Sequence, residues 1–301
     1  MRRDLPSFLS LDKTDLVSWQ DARTVILPLP FERTVVWGKG TSRGPEALLE
    51  ASAFIELYDE ELDCEPCRHG IHTAPAFLPQ SEDLGECMDQ MEAEARRHLD
   101  AGKFLISLGG EHSMTLAPVR ATQKAVRELH GTDLGIVQFD AHTDLRDSYH
   151  GTPYSHASVM RRVLELGVPS LPVGIRSSAP EEMPVIREHD IPVIWSHDVH
   201  RDTRTGSTQR FLDALERLPD KIYLTFDIDF FDPSVVPSTG TPEPGGGFWH
   251  PTIEWLRLLF ESKDVVAMDV VELAPVDGHP ASDFVAAKLV HKCIGYKFDL
   301  A

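Results

Sequence analysis

Positive charge is scarce in this chain: 29 Lys and Arg stand against 48 Asp and Glu in 301 residues, for a formal charge of −19. Wrapping nucleic acid or docking on an anionic membrane needs clustered cations, so neither partner is expected. The imbalance suits attraction of a cationic ligand, and it equally suits plain solubility. Cysteine is scarce too, and four in the whole chain do not make a disulfide scaffold. Cys64 and Cys67 form one CxxC pair in DCEPC, with no second ligand pair nearby for zinc and no strand-to-helix setting for redox work. Reduced thiols on a loop are expected there. No apolar run approaches the ~20 residues that span a bilayer, and the opening MRRDLPSFLSLDKTD holds no secretory apolar core. A cytoplasmic protein is expected. No Gly-Lys-Ser/Thr follows the glycine-rich STGTPEPGGG, which argues against a phosphate-binding loop. Low-complexity linkers and fixed-period repeats are also lacking, so residues 1–301 are read as one domain, with residues 1–20 as an N-terminal extension.

What the chain does have is an alternation of two patterns. Short apolar runs at residues 25–29, 104–108, 134–139, 170–174, 192–195, 222–226 and 265–270 read as strands. Segments of helical periodicity lie between and beyond them, at residues 45–54, 86–101, 115–129, 181–189, 207–217, 252–261 and 282–295. Pro45 suits a first helical turn and Ser282 suits an N-cap. The strands are near-continuous apolar runs, as expected of strands buried on both faces. The prediction is a three-layer α/β/α domain with a mainly parallel central sheet. Ligands of such sheets gather at the carboxyl ends of the strands.

Three of those ends are rich in metal-ligand side chains. GGEHS places His112 after the second run. DAHTD places Asp140, His142 and Asp144 after the third, and DIDFFDP places Asp227, Asp229 and Asp232 after the sixth. Residues two apart in extended backbone project to one face, so Asp140, His142 and Asp144 can converge, as can Asp227 with Asp229. With His112, that makes four carboxylates and two imidazoles. Carboxylates crowded at one locus repel and resist desolvation unless cations neutralise them. One divalent ion is too little charge for four of them; two suffice, held about 3.5–4 Å apart by shared carboxylates. The bland alternative is three solvated, capped strand ends. Three such motifs, each directly after a buried strand, favour the metal centre.

GGEHS, DAHTD and TFDIDFFDP resemble the three signature motifs of the ureohydrolases, the arginase and agmatinase family. The resemblance extends to GKGTSRGPEALLEAS, to STGTPEPGG at 238–246 and to MDVVELAP at 268–275. It implies an arginase-like fold and hydrolysis of a guanidino compound to urea and an amine. It implies one metal on His112, Asp140, Asp144 and Asp227, and a second on His142, Asp140, Asp227 and Asp229. The implied metal is Mn²⁺, two per chain, although the ligand types admit other divalent ions. A guanidinium carbon is a poor electrophile, and paired metals lower the pKa of water enough to attack it near neutral pH. In the family's pattern Asp144 carries a proton to the departing amine. His156, in SHAS, exchanges protons with solvent, and Glu272 pairs with the substrate guanidinium. The family also implies a homo-oligomer, trimer or hexamer.

Arginases hold the substrate carboxylate partly through an asparagine two residues after DAHTD, and this chain has Arg146 there. DLRDSYHG and TGTPEPGG resemble the agmatinase branch, which points to agmatine, cleaved to putrescine and urea. GFWHPTIEW departs from that branch's pattern. Guanidinobutyrase, arginase and formimidoylglutamase activities stay open, with Arg146 either facing a substrate acid or pairing with Asp147. A deacetylase-like amidohydrolase would use one metal and lack the paired DxHxD and DxD motifs. A non-catalytic metal-binding paralogue would be expected to have lost ligands. His197 and His200, in SHDVHRD, are read as surface or structural.

Overall fold

The computed structural model describes residues 1–11, 17–201 and 206–300, without the side chains of residues 199–201. Residues 12–16 of the expected N-terminal extension and the His200 side chain lie outside the described residues. The strands are β1 Arg2–Arg3, β2 Thr24–Leu29, β3 Ile71–Thr73, β4 Ala76–Phe77, β5 Phe104–Gly109, β6 Leu134–Phe139, β7 Ser170–Ile175, β8 Ile194–Trp195, β9 Lys221–Asp227 and β10 Asp264–Val271. The α-helices are α1 Gly44–Ser52, α2 Leu84–Leu99, α3 Leu116–His130, α4 Val159–Glu165, α5 Glu182–Glu188, α6 Ser196–Arg201, α7 Gly206–Glu216, α8 Trp249–Ser262 and α9 Ala281–Asp299.

Eight strands form one parallel sheet in the order β3-β2-β5-β10-β9-β6-β7-β8. Alternate residues serve opposite faces. Val25, Leu27 and Leu29 of β2 enter one apolar cluster with Met88, Met91 and Ala121 of α2 and α3, while Ile26 enters the other with Leu48, Leu256 and Leu289 of α1, α8 and α9. Helices on both faces make the predicted three-layer α/β/α arrangement. No helix among the described residues is long and apolar enough to cross a membrane.

The differences from expectation are local. Ser282 is not the N-cap of α9: the helix starts at Ala281 behind Pro280, and the buried Ser282 hydroxyl accepts the Ser238 N–H at 3.2 Å. The run at 192–195 shortens to the edge strand β8, because Pro192 has no N–H for a ladder. β1, β3 and β4 escape the sequence reading because two or three residues carry no periodicity. Phe8 and Leu9, within the expected extension, are buried in the α1 and α9 cluster, and Arg2 bonds Glu94 at 2.7 Å. Cys64 does lie on a loop, where burial and the Asp299 carboxylate push its thiol up to about 11. Cys67 instead sits buried in the short 3-10 turn Pro66–His69.

Candidate metal centre and its pocket

The four central strands β5, β10, β9 and β6 all open onto one crevice at their carboxyl ends. Register aligns them there, with Phe139 beside Phe226 and Val271 beside Asp227. β5 runs through Gly109 and Gly110 into His112. A Cβ on Gly110 would stand 2.2 Å from the Phe31 carbonyl oxygen, so only glycine lets the chain turn this close to its neighbour. Asp140 follows β6 directly, and its Oδ1 accepts the His142 N–H at 2.6 Å. Asp227 ends β9 and accepts the Asp229 N–H at 2.8 Å; Asp229 Oδ1 in turn accepts the Ala141 N–H at 3.0 Å. Asp144 and Glu272 both hold left-handed backbone, φ +51° and +63°, which side-chain-bearing residues adopt only under tertiary constraint.

The six expected ligands come together. His112 Nδ1 lies 3.1 Å from Asp140 Oδ2, 3.0 Å from Asp144 Oδ2 and 3.4 Å from Asp227 Oδ2. His142 Nδ1 lies 2.9 Å from Asp229 Oδ2 and 3.6 Å from Asp140 Oδ1. Two groups of side chains can each close on an ion, His112 with Asp140 and Asp227, and Asp140 with His142 and Asp229. Asp140 is common to both. Asp227 belongs to the first group only, and Asp144 approaches it through His112.

The chemistry of His112 tests whether a cation fits. Thr225 Oγ1 donates its single proton to Asp269 Oδ1 at 2.7 Å, so it meets His112 Nε2, 2.9 Å away, as an acceptor. Nε2 therefore carries the proton. In the neutral ring Nδ1 is then a bare lone pair, buried, without a hydrogen-bond donor and ringed by three carboxylates. Lone pair against carboxylate is repulsive unless a proton or a metal ion stands between them, and one proton offsets only one of the three carboxylate charges. The donor set fits a divalent metal.

Protein charges alone leave the cluster poorly compensated. Burial would depress the His112 and His142 imidazoles, yet the surrounding carboxylates hold both well above the ordinary histidine value. Burial and the Asp140 charge push Asp144 up to about 7, and burial with the neighbouring Glu111 charge pushes Glu272 up to about 8. Burial, then Asp229 and Asp140, drive Asp227 well above the carboxylate range. His156 moves the other way, down to about 4, through burial and the charges of His112 and His142.

A cavity of about 520 Å³ opens above this cluster, lined by His112, His142, Asp144, His156, Asp227, Asp229 and Glu272, and farther along by Trp37, Arg146, Tyr149 and Glu181. Glu272 Oε1 accepts the His112 N–H at 2.6 Å. Arg146 pairs with Glu181 and stacks over Tyr149 with 5.1 Å to the ring centroid. Of the two alternatives for Arg146, the pair with Asp147 does not form: Asp147 turns to Arg162 at 2.9 Å, since successive side chains point apart. Asp232 stays out of the cluster and pins its own loop, accepting from Ser234, Gly245 and Gly246. His197 is exposed and stacks on Trp195.

Several supporting residues escaped the sequence reading. Asp269 and Thr225 hold His112 in its tautomer. Arg176, just past β7, donates to the carbonyls of Asp229, Phe230, Phe231 and Glu243, fixing the turn that carries Asp229. Glu111 gathers the 33–35 loop. Thr225 has the one available signal: it lies two residues before Asp227 and shares its face.

The family model described as arginase family matches residues 22–295. The N(1)-aminopropylagmatine ureohydrolase of Synechocystis sp. is 40% identical over 292 residues, covering 95% of this chain and 92% of the relative. The agmatinase of Pyrococcus horikoshii is 36% identical over 282 residues, covering 93% of each. Among solved structures, the agmatine ureohydrolase of Thermoplasma volcanium superposes with a TM-score of 0.83 at 29% identity, over 98% of this chain and 95% of that one.

Proposed function

We infer that this chain, which belongs to the arginase family and is a hydrolase of C–N bonds in linear amidines, releases urea from agmatine or an agmatine extended at its amine. The observation that carries the reading is the convergence of three buried carboxylates on His112 Nδ1, beside a second imidazole–carboxylate group that shares Asp140. Residues His112, Asp140, Asp144 and Asp227 would hold one divalent ion, and His142, Asp140 and Asp229 the other, with Asp227 reaching it from the first group; Mn²⁺ is the preferred metal. When bound, the pair supplies a water-derived nucleophile at neutral pH and the positive charge that the carboxylates lack.

The chain's own residues do the rest. Glu272 pairs with the substrate guanidinium, and Gly240 beside it presents no side chain to block the approach; a Cβ there would lie 3.8 Å from Glu272 Oε2. Asp144 carries the proton that the departing amine needs. His156 lines the pocket that opens above the cluster, and it exchanges that proton with solvent.

Substrate choice follows from charge. Arg146 is engaged by Glu181 and Tyr149, so it is not a free clamp for a substrate carboxylate. A carboxylated substrate would bring an uncompensated charge into an acidic pocket. A dication such as agmatine suits it. The N-aminopropyl-extended form is the second reading, favoured by the 40% identical relative and by a pocket that continues to the exposed Trp37. The family's closed homo-oligomer is the assembly we expect for it. The test compares kcat/KM for agmatine, N-(3-aminopropyl)agmatine, 4-guanidinobutyrate and arginine on one manganese-loaded preparation. Either cationic amine is expected to exceed arginine by about 10³-fold or more. Arginine equal to them would overturn the substrate reading, and no urea from any of the four would overturn the reaction.

A further inference from the structure

Glu111, Thr34 and His156 form a hydrogen-bonded chain that starts beside the acid cluster and ends in the pocket. The Glu111 carboxylate is fully buried and collects five donors. Oε2 accepts the N–H groups of Arg33, Thr34 and Val35 at 2.8, 2.6 and 3.2 Å. Oε1 accepts the hydroxyls of Thr34, at 2.9 Å, and of Ser113. A hydroxyl has one proton, and Thr34 gives its proton to this carboxylate. The Thr34 oxygen then has only lone pairs to offer. It accepts the backbone N–H of His156 at 3.1 Å and stands 3.2 Å from His156 Nδ1. That second contact attracts only if Nδ1 carries a proton, which leaves the lone pair on Nε2. Ser155 Oγ receives the Ala157 N–H and keeps its own proton, so at 3.5 Å from Nδ1 it serves either tautomer and leaves the choice to Thr34.

We propose that Thr34 is a positioning residue for His156, selecting the tautomer whose bare Nε2 takes and returns a proton in the pocket, and that Glu111 holds Thr34 in that role. The proposal rests on the reading of His156 as proton carrier. It gives the buried Glu111 a purpose that metal binding does not. The same carboxylate also fixes Val35, so the pocket wall and the proton carrier are set by one anchor.

Thr34→Val removes the hydroxyl at nearly constant volume, and Thr34→Ser keeps it. With manganese-loaded enzyme and agmatine, kcat of Thr34→Val is expected to fall about 10–100-fold, with KM within about threefold of wild type. Thr34→Ser should restore most of the rate, and bound metal per chain should be unchanged in both. Nitrogen-15 spectra of the full-length chain loaded with diamagnetic zinc, with His156 assigned through His156→Ala, read the tautomer directly. The expected result is Nδ1–H in wild type and Thr34→Ser, and loss of that preference in Thr34→Val. An Nε2–H tautomer in wild type, a wild-type kcat in Thr34→Val, or equal losses in both variants would overturn the proposal. Full activity in His156→Ala overturns the proton-carrier reading alone, because the tautomer measurement still decides whether Thr34 orients the ring.

Discussion

At the carboxyl end of the sheet, Asp140, Asp144, Asp227 and Asp229 find only His112 and His142 as ion-pair partners among the described residues, whereas beside α9 the acids Asp59 and Glu61 close on Lys292 at 2.9 and 2.6 Å. The fold pulls the site carboxylates and Asp59 from water, and Glu61 partly. The α9 cluster brings its own cation and further donors: Tyr296 reaches Glu61 at 2.8 Å, and the N–H groups of Glu61 and Leu62 reach Asp59. Burial there is outweighed, and Lys292, Tyr296 and Arg257 hold Glu61 down at about 2. In the site, burial and like charge win instead, and Asp144 and Glu272 are pushed up to about 7 and about 8. A fold that can neutralise buried acids does so in one place and leaves the other to a ligand. The unsatisfied cluster marks function.

The sharpest way to break that contrast is to remove one site carboxylate. Asp227→Asn should abolish most urea release, by more than the about 10⁴-fold that a single acid–base group accounts for. Elemental analysis after loading and desalting should find two ions per chain in wild type and fewer than one in the variant. After chelation the sign reverses, because Asn relieves like-charge crowding: the chelated variant should melt at or above chelated wild type. A chelated Asp227→Asn that melts well below wild type would mean that Asp227 is structural, like Asp59. Next in size comes His156→Ala, which touches neither set of paired charges. It should lower turnover by about 10²–10⁴-fold while both ions stay bound, with part of the rate returned by added imidazole. Lost metal would move His156 into the ligand set.

The opposite cluster should answer to the opposite measurement. Lys292→Met leaves the buried Asp59 and the partly exposed Glu61 beside an apolar chain. Breaking such a pair costs about 3–5 kcal/mol. The loss should fall near the lower figure, because Glu61 keeps Tyr296 and Arg257 and its side chain is 31% exposed. Denaturant unfolding reads the loss, and kcat of the folded fraction should not move. A variant of normal stability and reduced kcat would erase the distinction between the clusters.

The two clusters also differ in how much of them the sequence displays. Asp140, His142 and Asp144 are legible because a period of two places them on one face directly after an apolar run, and the same holds for Asp227 and Asp229. The parallel sheet is legible for a related reason: strands buried on both faces become uninterrupted apolar runs. Partners brought from a distance leave no such trace. Asp59 meets Lys292 from 233 residues away, and Thr34 meets His156 across 122. Ser282 misleads because its residue type suits a cap, while the buried loop at Ser238 claims its hydroxyl. Arg146 misleads through proximity to Asp147, when the ion pair that forms is with Glu181 across the pocket mouth.

The smallest expected effect concerns acid. Glu61 has an ordinary value of 4.5 and a folded value of about 2, lowered by Lys292, Tyr296 and Arg257 against the opposing effect of burial. A carboxylate whose folded pKa lies below its unfolded one binds fewer protons when folded, so its contribution to stability is present above the unfolded value and disappears as pH falls through the folded one. The window is therefore pH 4.5 down to about 2. Glu61→Gln keeps the shape and removes the titration. The stability difference between wild type and Glu61→Gln, measured by unfolding midpoint at fixed ionic strength, should be constant above about pH 5.5 and shrink steadily toward pH 2. High salt should diminish it, because Glu61 is only partly buried. In Lys292→Met the main cause of the low pKa is gone. Adding Glu61→Gln to that variant should then change stability by an amount that varies much less with pH. A difference that stays constant through the acid range in the wild-type background would show that Lys292 and Glu61 are neighbours without being coupled, and that the α9 cluster is no better compensated than the site.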